Sequence, residues 1–362
     1  TDAAKQFIWK TNLLGGGRLF HLIYRLSLLE TLKQFIDRKK NSEWIYSVGY
    51  IIKDISNKRK LRADFITGKL TINPKSFKYN GDFDTEIENS ELFVAPRKKE
   101  LYTAPHIIFK LVAEKSKIPM AFSDEYLCFN SKFVGIHAPQ SDREELYRIY
   151  DRLHKNETTF KLYQTFILAT SSSAMIHRET SMVKEDIDNL PYPEETEYLI
   201  PSPTEEILIN DVLEYYIHLG KAISKKGKGL KLNKKVSKDQ LQNFGKTFCD
   251  LLNPIYAKNG KSWQCGKFYQ TESFTIYQFG YGKNECLSFQ MPDDLYDVVK
   301  SMIYDNTSNR GAIFTRVCRY YKHLNGYDCV FLIKPNATRY WLNSIALRDA
   351  DETFMDLRKA GR

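Results

Sequence analysis

Residues 189–192, with the sequence Asn-Leu-Pro-Tyr, come nearest in this chain to a catalytic motif. An Asn side chain and a backbone carbonyl can accept hydrogen bonds from the amine of a base, and a Tyr ring can stack on a base flipped out of its duplex. Such a motif acts only beside a bound methyl donor, which a glycine-rich strand–loop–helix unit upstream would hold. Residues 44–188 contain no unit of that kind. The sequence therefore favours a linker at a domain exit, continued by Pro193 and the acids after it.

A second polar segment covers residues 171–181 and reads Ser-Ser-Ser-Ala-Met-Ile-His-Arg-Glu-Thr-Ser. Serine and threonine hydroxyls can reach phosphates or bases, and an arginine such as Arg178 can pair bidentately with guanine. The segment is therefore a candidate for DNA contact. A solvated loop explains the same composition and stays open as the alternative.

Basic side chains also surround the aromatic Tyr102, at Arg97, Lys98, Lys99 and Lys110. Basic and aromatic side chains together suit phosphate clamping and base stacking. An ordinary solvated surface stays open as the alternative for each of these residues.

The charge of the chain is unevenly distributed about a net value of +10. Residues 221–238 carry eight lysines and no acid, whereas residues 184–214 carry ten acids and one lysine. A net basic, uneven surface suits a polyanion, although solubilising charge explains it equally simply. Gly227 and Gly229 mark the lysine-rich stretch as a loop, which we expect to give salt-sensitive attraction rather than base reading.

Metal and nuclease chemistry find little support in the sequence. The six cysteines are too far apart in the sequence to form a zinc-binding pair. We therefore expect them to be small buried side chains of a protein in a reducing cytoplasm. No convincing nuclease pattern occurs, and the acids at residues 349–352 fit the start of a helix better than a metal site. No apolar stretch is long enough for a membrane span, and the chain opens without a signal peptide or an initiator Met, like a fragment.

The periodicity predicts a mixed α+β protein. Helices are expected up to about residue 40, with Gly15-Gly16-Gly17 as a plain turn between them. Strands are then expected near residues 45–51, 63–72, 105–112, 118–123 and 133–136. Capping boxes at Ser141, Ser202 and Ser237 each predict a helix, the first of them long and running on through residues 160–167. Asn325-Gly326 predicts a hairpin joining residues 312–321 to 327–334, and a last helix should cover residues 349–359.

The order of four segments resembles a known family. These are residues 93–97 (Phe-Val-Ala-Pro-Arg), residues 102–110, the serine-rich stretch 169–181 and the exit at residues 187–193. This order resembles the target-recognition half of bacterial adenine-specific DNA methyltransferases of restriction–modification and phage-defence systems. The resemblance covers residues 5–200 and, more loosely, residues 201–362. The pattern of helices and strands places domain boundaries near residues 43 and 200, so we expect a helical connector over residues 1–43, a mixed α/β target-recognition domain over 44–200 and a C-terminal α+β domain over 201–362.

The resemblance implies that this chain reads double-stranded DNA in the cytoplasm and does no chemistry itself. S-adenosylmethionine would bind a catalytic domain or subunit outside the chain, and no cofactor or metal is expected within it. The predicted DNA-contacting residues are Arg97, Lys98, Lys99, Tyr102, Lys110, Ser172, Ser173, Arg178, Thr180, Lys225, Lys226, Lys234 and Lys235. Two alternatives stay open: a self-contained nucleic-acid enzyme, such as a nuclease or RNA methylase, and a protein-binding scaffold of a defence complex.

Overall fold

The computed structural model describes most of the chain and divides it into two compact units, residues 1–221 and residues 222–362. The described residues are 2–52, 60–78, 80–112, 118–154, 156–172, 182–216, 231–283, 292, 294–297, 299–300 and 318–361, with the side chains of residues 2–7 and 40 left out. The first unit contains the N-terminal helices, the described residues of the predicted recognition domain and residues 201–216. The predicted fold class is confirmed: both units mix helices with antiparallel sheets.

Three helices open the first unit: α1 (Asp2–Leu14), α2 (Gly16–Ser27) and α3 (Leu32–Arg38). The glycine run is the predicted helix–helix turn, since α1 ends one residue before Gly15 and α2 begins one residue after it. A capping box between Thr31 and Gln34, which the sequence reading missed, starts α3. Among the described residues, no helix is long and apolar enough to cross a membrane.

The strands that the structure describes in the first unit form one larger sheet and two small ones. The larger sheet has the order β1-β8-β6-β7, in which β1 is Ile45–Val48, β6 is His106–Lys110, β7 is Met120–Ser123 and β8 is Phe133–His137. The small sheets pair β2 (Leu61–Arg62) with β5 (Leu92–Phe93) and β3 (Leu70–Ile72) with β4 (Thr85–Ile87). Four of the five predicted strands are confirmed in position. The fifth, over residues 63–72, is wrong for most of its length, because turns precede the short β3.

Four further helices lie in the described part of the first unit: α4 (Arg143–His154), α5 (Glu157–Thr170), α6 (Lys184–Asp188) and α7 (Pro203–Asp211). The predicted cap at Ser141 is wrong, because a 3-10 turn, Gln140–Asp142, leads into α4 instead. The long helix expected after it is two helices, since Asn156 caps a new start by accepting from the Thr159 N–H. The capping box at Ser202 is confirmed, with Glu205 at N3.

The described part of the second unit contains a four-stranded antiparallel sheet and two long helices. Its strands β9 (Lys261–Gln270), β10 (Phe274–Lys283), β11 (Cys318–Leu324) and β12 (Tyr327–Pro335) lie in the order β11-β12-β10-β9. The hairpin between β11 and β12 is confirmed, and its turn residues Asn325 and Gly326 have φ of 48° and 82°; residues 312–317 lie outside the described part. Ser237 caps α8 (Lys238–Tyr256) by accepting from the Gln240 N–H, but the predicted capping box is incomplete, because the Gln240 side chain donates to the Trp341 carbonyl. The last described helix is α9 (Asn343–Lys359).

The core of the second unit contains a buried ion pair. Lys334 on β12 bonds to Asp349 on α9, and both side chains are fully buried. The Lys334 Nζ lies 4.5 Å and 4.9 Å from the ring centroids of Phe244 and Trp341 and donates to the Tyr340 carbonyl at 3.1 Å. Loss of hydration lowers the pKa of Lys334. The predicted role of residues 349–352 at a helix start is therefore wrong, because α9 begins at Asn343.

Removing one member of this ion pair should be strongly destabilising. We expect Asp349→Asn to cost the second unit roughly 3–5 kcal/mol of unfolding free energy, because Lys334 loses its counter-charge inside the core. Urea unfolding followed by circular dichroism measures this cost. Asp250→Asn, the same change at an exposed position of α8, is the control. An Asp349→Asn protein as stable as the parent would show that the pair contributes nothing.

Candidate nucleic-acid interface

At one end of the larger sheet, the Arg97 side chain is connected through Gly49 to the inner strand β8. Arg97 Nε donates to the Gly49 carbonyl at 3.3 Å, just past the end of β1. The Gly49 N–H donates in turn to the Phe133 carbonyl at 3.0 Å, at the start of β8. The predicted contact residue Arg97 is thereby fixed at this end of the sheet.

The same sheet end receives the exit of the serine-rich segment. The Leu111 N–H, just past β6, donates to the Lys132 carbonyl at 2.9 Å, and the Met182 N–H donates to the Leu111 carbonyl at 3.4 Å. Arg97 and residue 182 are therefore both tied to the start of β8. We call Gly49, Arg97, Leu111 and Lys132 the sheet-end surface; Met182, which is attached to it, is itself buried.

Arg97 is held in an unusual backbone conformation. Its φ is 71°, a left-handed value that costs a non-glycine residue free energy and that often marks a functional position. The residue that accepts the Arg97 hydrogen bond must be a glycine, since a Cβ at Gly49 would lie 2.1 Å from the Phe129 carbonyl oxygen. Within the described part of the chain, the Arg97 terminal nitrogens make no hydrogen bond or ion pair. The exposed Lys98 and Lys99 follow directly.

A buried carboxylate, that of Asp186, holds the two ends of the serine-rich segment close together. Asp186 Oδ2 accepts from the Ser171 hydroxyl at 2.8 Å and from the Val183 N–H at 2.9 Å, so Ser171 in the segment and Val183 just after it meet at one atom. Buried Lys10 on α1 donates to the Ser171 carbonyl. Burial raises the pKa of Asp186 and lowers that of Lys10 to about 8. Sequence reasoning missed this cluster, although an acid in the first turn of α6 was a local signal for it.

Two predicted contact residues belong to the core. Tyr102 is fully buried, and its hydroxyl donates to the Pro96 carbonyl at 2.8 Å, so its ring is not available to stack on a base. Lys110 is only 7% exposed, and its Nζ donates to the Phe77 carbonyl at 3.0 Å. Both assignments to DNA contact are therefore corrected. Ser172 is exposed, whereas Ser173, Arg178, Thr180, Lys225 and Lys226 lie outside the described residues.

In the second unit, the end of the lysine-rich stretch is anchored along the segment that follows β12. The Lys234 carbonyl accepts from Thr338 N and Oγ1 at 2.8 Å and 3.0 Å, and Lys235 forms an antiparallel bridge with Ala337. The main chain is thus fixed while its side chains stay exposed. We call the exposed basic residues here the basic ledge: Lys231, Lys234, Lys235, Lys238 and Arg339.

The Asn-Leu-Pro-Tyr segment has a structural role. Tyr192 is 5% exposed, with the Arg152 guanidinium 4.3 Å from its ring centroid. The Tyr192 N–H donates to the Glu30 carbonyl at 2.6 Å, and the Tyr163 hydroxyl donates to the Pro191 carbonyl at 2.8 Å. A Tyr ring packed in this way has no free face for a flipped base. The segment docks the domain exit onto the start of α3.

Two further features of the described residues bear on function. No group of three or more His, Cys, Asp or Glu side chains among them can hold a metal ion. A pocket of about 380 Å³ in the second unit is lined by residues of the β11–β12 hairpin and the end of α9, with Trp263. In it, the Tyr321 hydroxyl donates to Asp356 at 2.8 Å. No predicted contact residue lines this pocket.

Comparisons with protein-family models, with curated proteins and with solved structures find no match for this chain.

The buried Lys10 should make stability depend on pH. The folded protein releases the Lys10 proton near pH 8, whereas the unfolded chain keeps it up to its ordinary pKa of 10.5. The unfolded state binds more protons in this window, so the unfolding free energy should rise with pH across it. We expect Lys10→Met to abolish this rise. Urea unfolding at about pH 7 and about pH 9.5 compares the two states of Lys10.

Lys69→Met, at an exposed position of the first unit, is the matched control and should keep the parental pH dependence. If Lys10→Met kept it as well, the buried ammonium would not be its source.

Proposed function

We propose that this chain is the DNA-recognition part of an adenine-specific DNA methyltransferase of restriction–modification or phage-defence type. It would bind double-stranded DNA in the cytoplasm, and a separate catalytic domain or subunit would flip and methylate the adenine. The observation that carries the proposal is that Arg97 and the exit of the serine-rich segment are both attached to the same end of one sheet. Residues 85 positions apart in the sequence are thus hydrogen-bonded to neighbouring strands at that end.

Rigid presentation matters because base reading depends on geometry. A bidentate arginine–guanine contact requires a guanidinium held in register with the base edge. The bond from Arg97 Nε to Gly49 supplies such support, and the Asp186 carboxylate fixes both ends of residues 172–182. We therefore assign sequence reading to the sheet-end surface together with this segment, which includes Arg178.

The basic ledge supports a different part of the proposal. Its lysines are exposed side chains on an anchored main chain, which suits contacts to phosphates rather than to bases. Such contacts add affinity that falls as salt rises. Each unit thus contributes a surface of its own, one for specificity and one for attraction.

The described residues do not fit a site for S-adenosylmethionine. The glycine run at residues 15–17 joins two helices and follows no strand, and the Tyr192 ring is buried. We therefore derive no methyl-transfer step within this chain.

Arg97 should discriminate between sequences. A cognate site is first selected from a pool of random duplexes with the full chain, and binding to that site and to single-mismatch duplexes is then measured. Arg97→Ala should weaken cognate binding by roughly 1–3 kcal/mol and leave non-specific binding nearly unchanged. Arg97→Lys keeps the charge but loses the planar fork, so it should behave like the alanine variant if Arg97 contacts a base.

A phosphate contact would give a different pattern, with Arg97→Ala weakening all duplexes about equally and Arg97→Lys restoring them. Arg148→Ala, at an exposed position of α4, is the control. Undiminished cognate affinity of Arg97→Ala would remove Arg97 from the interface. The same assay on Arg178→Ala tests the segment directly.

The basic ledge should set the salt dependence of binding. Replacing Lys234 and Lys235 by Gln removes two potential phosphate contacts. The slope of log K against log salt on a mixed-sequence duplex should then fall by about 2 if both contacts are made. The residual preference for the cognate site should stay the same.

Lys258 and Lys261 provide a matched control, since they are also exposed and carry the same charge. They follow the C-terminal end of α8, whereas Lys234 and Lys235 precede its N-terminal end, and this 19-residue helix is about 28 Å long. Their glutamine variant should leave the slope unchanged. Equal effects of both pairs would indicate general charge attraction rather than a contact surface.

A further inference from the structure

Two cysteines of the second unit meet although 15 residues separate them in the sequence. Cys249 on α8 and Cys265 on β9 have their Sγ atoms 3.4 Å apart. The side chain of Asn253 fixes this register, since its Oδ1 accepts from the Trp263 N–H at 2.7 Å and its Nδ2 donates to the Trp263 carbonyl at 3.1 Å. The packing of α8 on β9 therefore places the two sulfur atoms next to each other.

The two thiols differ in their surroundings. Cys249 is buried, whereas Cys265 is exposed on an edge strand, contrary to the expectation that the cysteines are buried hydrophobes. Hydrogen bonds from the Cys249 thiol and then from the Tyr277 hydroxyl lower the pKa of Cys265, against the effect of desolvation. The same bond and desolvation raise the pKa of Cys249. Cys265 is therefore the thiol that more readily forms a thiolate.

The close approach of α8 to this site depends on a glycine. A Cβ at Gly245 would lie 2.2 Å from the Tyr277 hydroxyl and 3.1 Å from the Cys265 sulfur. Glycine is a poor residue for the interior of a helix, so its place here has a packing reason. It lets the helix come near enough for Cys249 to reach Cys265.

We propose that Cys265 and Cys249 are a redox modification site, which a hydroperoxide such as hydrogen peroxide converts to an intramolecular disulfide. This inference is independent of the proposed function. A disulfide bond is about 2.05 Å long, so the sulfur atoms must approach by roughly 1.4 Å, which side-chain rotation can provide.

The chemistry needs no group beyond the two thiols and the peroxide. The Cys265 thiolate attacks one peroxide oxygen; an S–O bond forms, the O–O bond breaks, and hydroxide leaves and is protonated to water. The Cys249 sulfur then attacks the resulting sulfenic acid; an S–S bond forms, the S–O bond breaks, and the Cys249 proton leaves with hydroxide as a second water. The two cysteines together lose two electrons, and the peroxide gains them.

The test treats the reduced, purified full chain with a slight excess of hydrogen peroxide. The intact mass should fall by two hydrogen atoms, and proteolysis without reductant should yield a peptide that joins Cys249 to Cys265. Cys249→Ser should leave a sulfenic acid on Cys265 that dimedone traps, and Cys265→Ser should lose the reaction. Cys128→Ser is the control, because Cys128 is buried and desolvation raises the pKa of its thiol to about 12.

A second measurement does not depend on serine variants. The disulfide restricts the unfolded chain, so the oxidised protein should melt roughly 5–10 °C higher in its second unit, and reductant should reverse the shift. Oxidation that links other cysteines, or a Cys265 that reacts no faster than Cys128 in the folded protein, would overturn the proposal.

Discussion

The candidate interface depends on the main chain at the start of β8. The carbonyls of Lys132 and Phe133 accept hydrogen bonds from Leu111 on one side and from Gly49 on the other. The segment that ends at Met182 and the side chain of Arg97 are attached one step further out, on these same two neighbours. Backbone donors and acceptors away from water must be paired. The same hydrogen bonds that satisfy this requirement also hold Arg97 and Met182 at this end of the sheet. A loop that recognises DNA has the support it needs when its ends are held in this way.

Burial of charge is the second constraint, and each unit meets it differently. In the first unit, Lys10 and Asp186 are near each other but are bound mainly to main-chain and hydroxyl groups around Ser171. In the second unit, Lys334 and Asp349 bond directly inside an aromatic core. Buried charges are retained only where such partners exist, because an unpaired one would cost several kcal/mol. These pairs tie α1 to the serine-rich segment and α9 to β12.

Local signals predicted local structure well. The caps at Ser202 and Ser237 and the Asn325-Gly326 turn were correct, because a cap or tight turn is decided within a few residues. The cap at Ser141 and the helix start at residue 349 were wrong, because other local turns and tertiary packing set where these helices begin. Tyr102 and Lys110 have side chains of the kind that contact DNA, yet both are buried. Their burial could not be predicted from the local sequence, because it depends on contacts between distant segments. Asp186 and the Cys249–Cys265 pair arise from the same kind of contact.

Hydrogen–deuterium exchange with and without the selected duplex tests the central claim most directly. DNA should protect main-chain amides at and around the sheet-end surface, near Gly49, Arg97, Lys132 and residues 172–182, and should protect the basic ledge in the second unit. The amides beside Tyr192 should be unaffected by the duplex, because that side chain packs inside the domain exit. Protection around Tyr192 and the domain exit, with none at the sheet-end surface, would contradict the account.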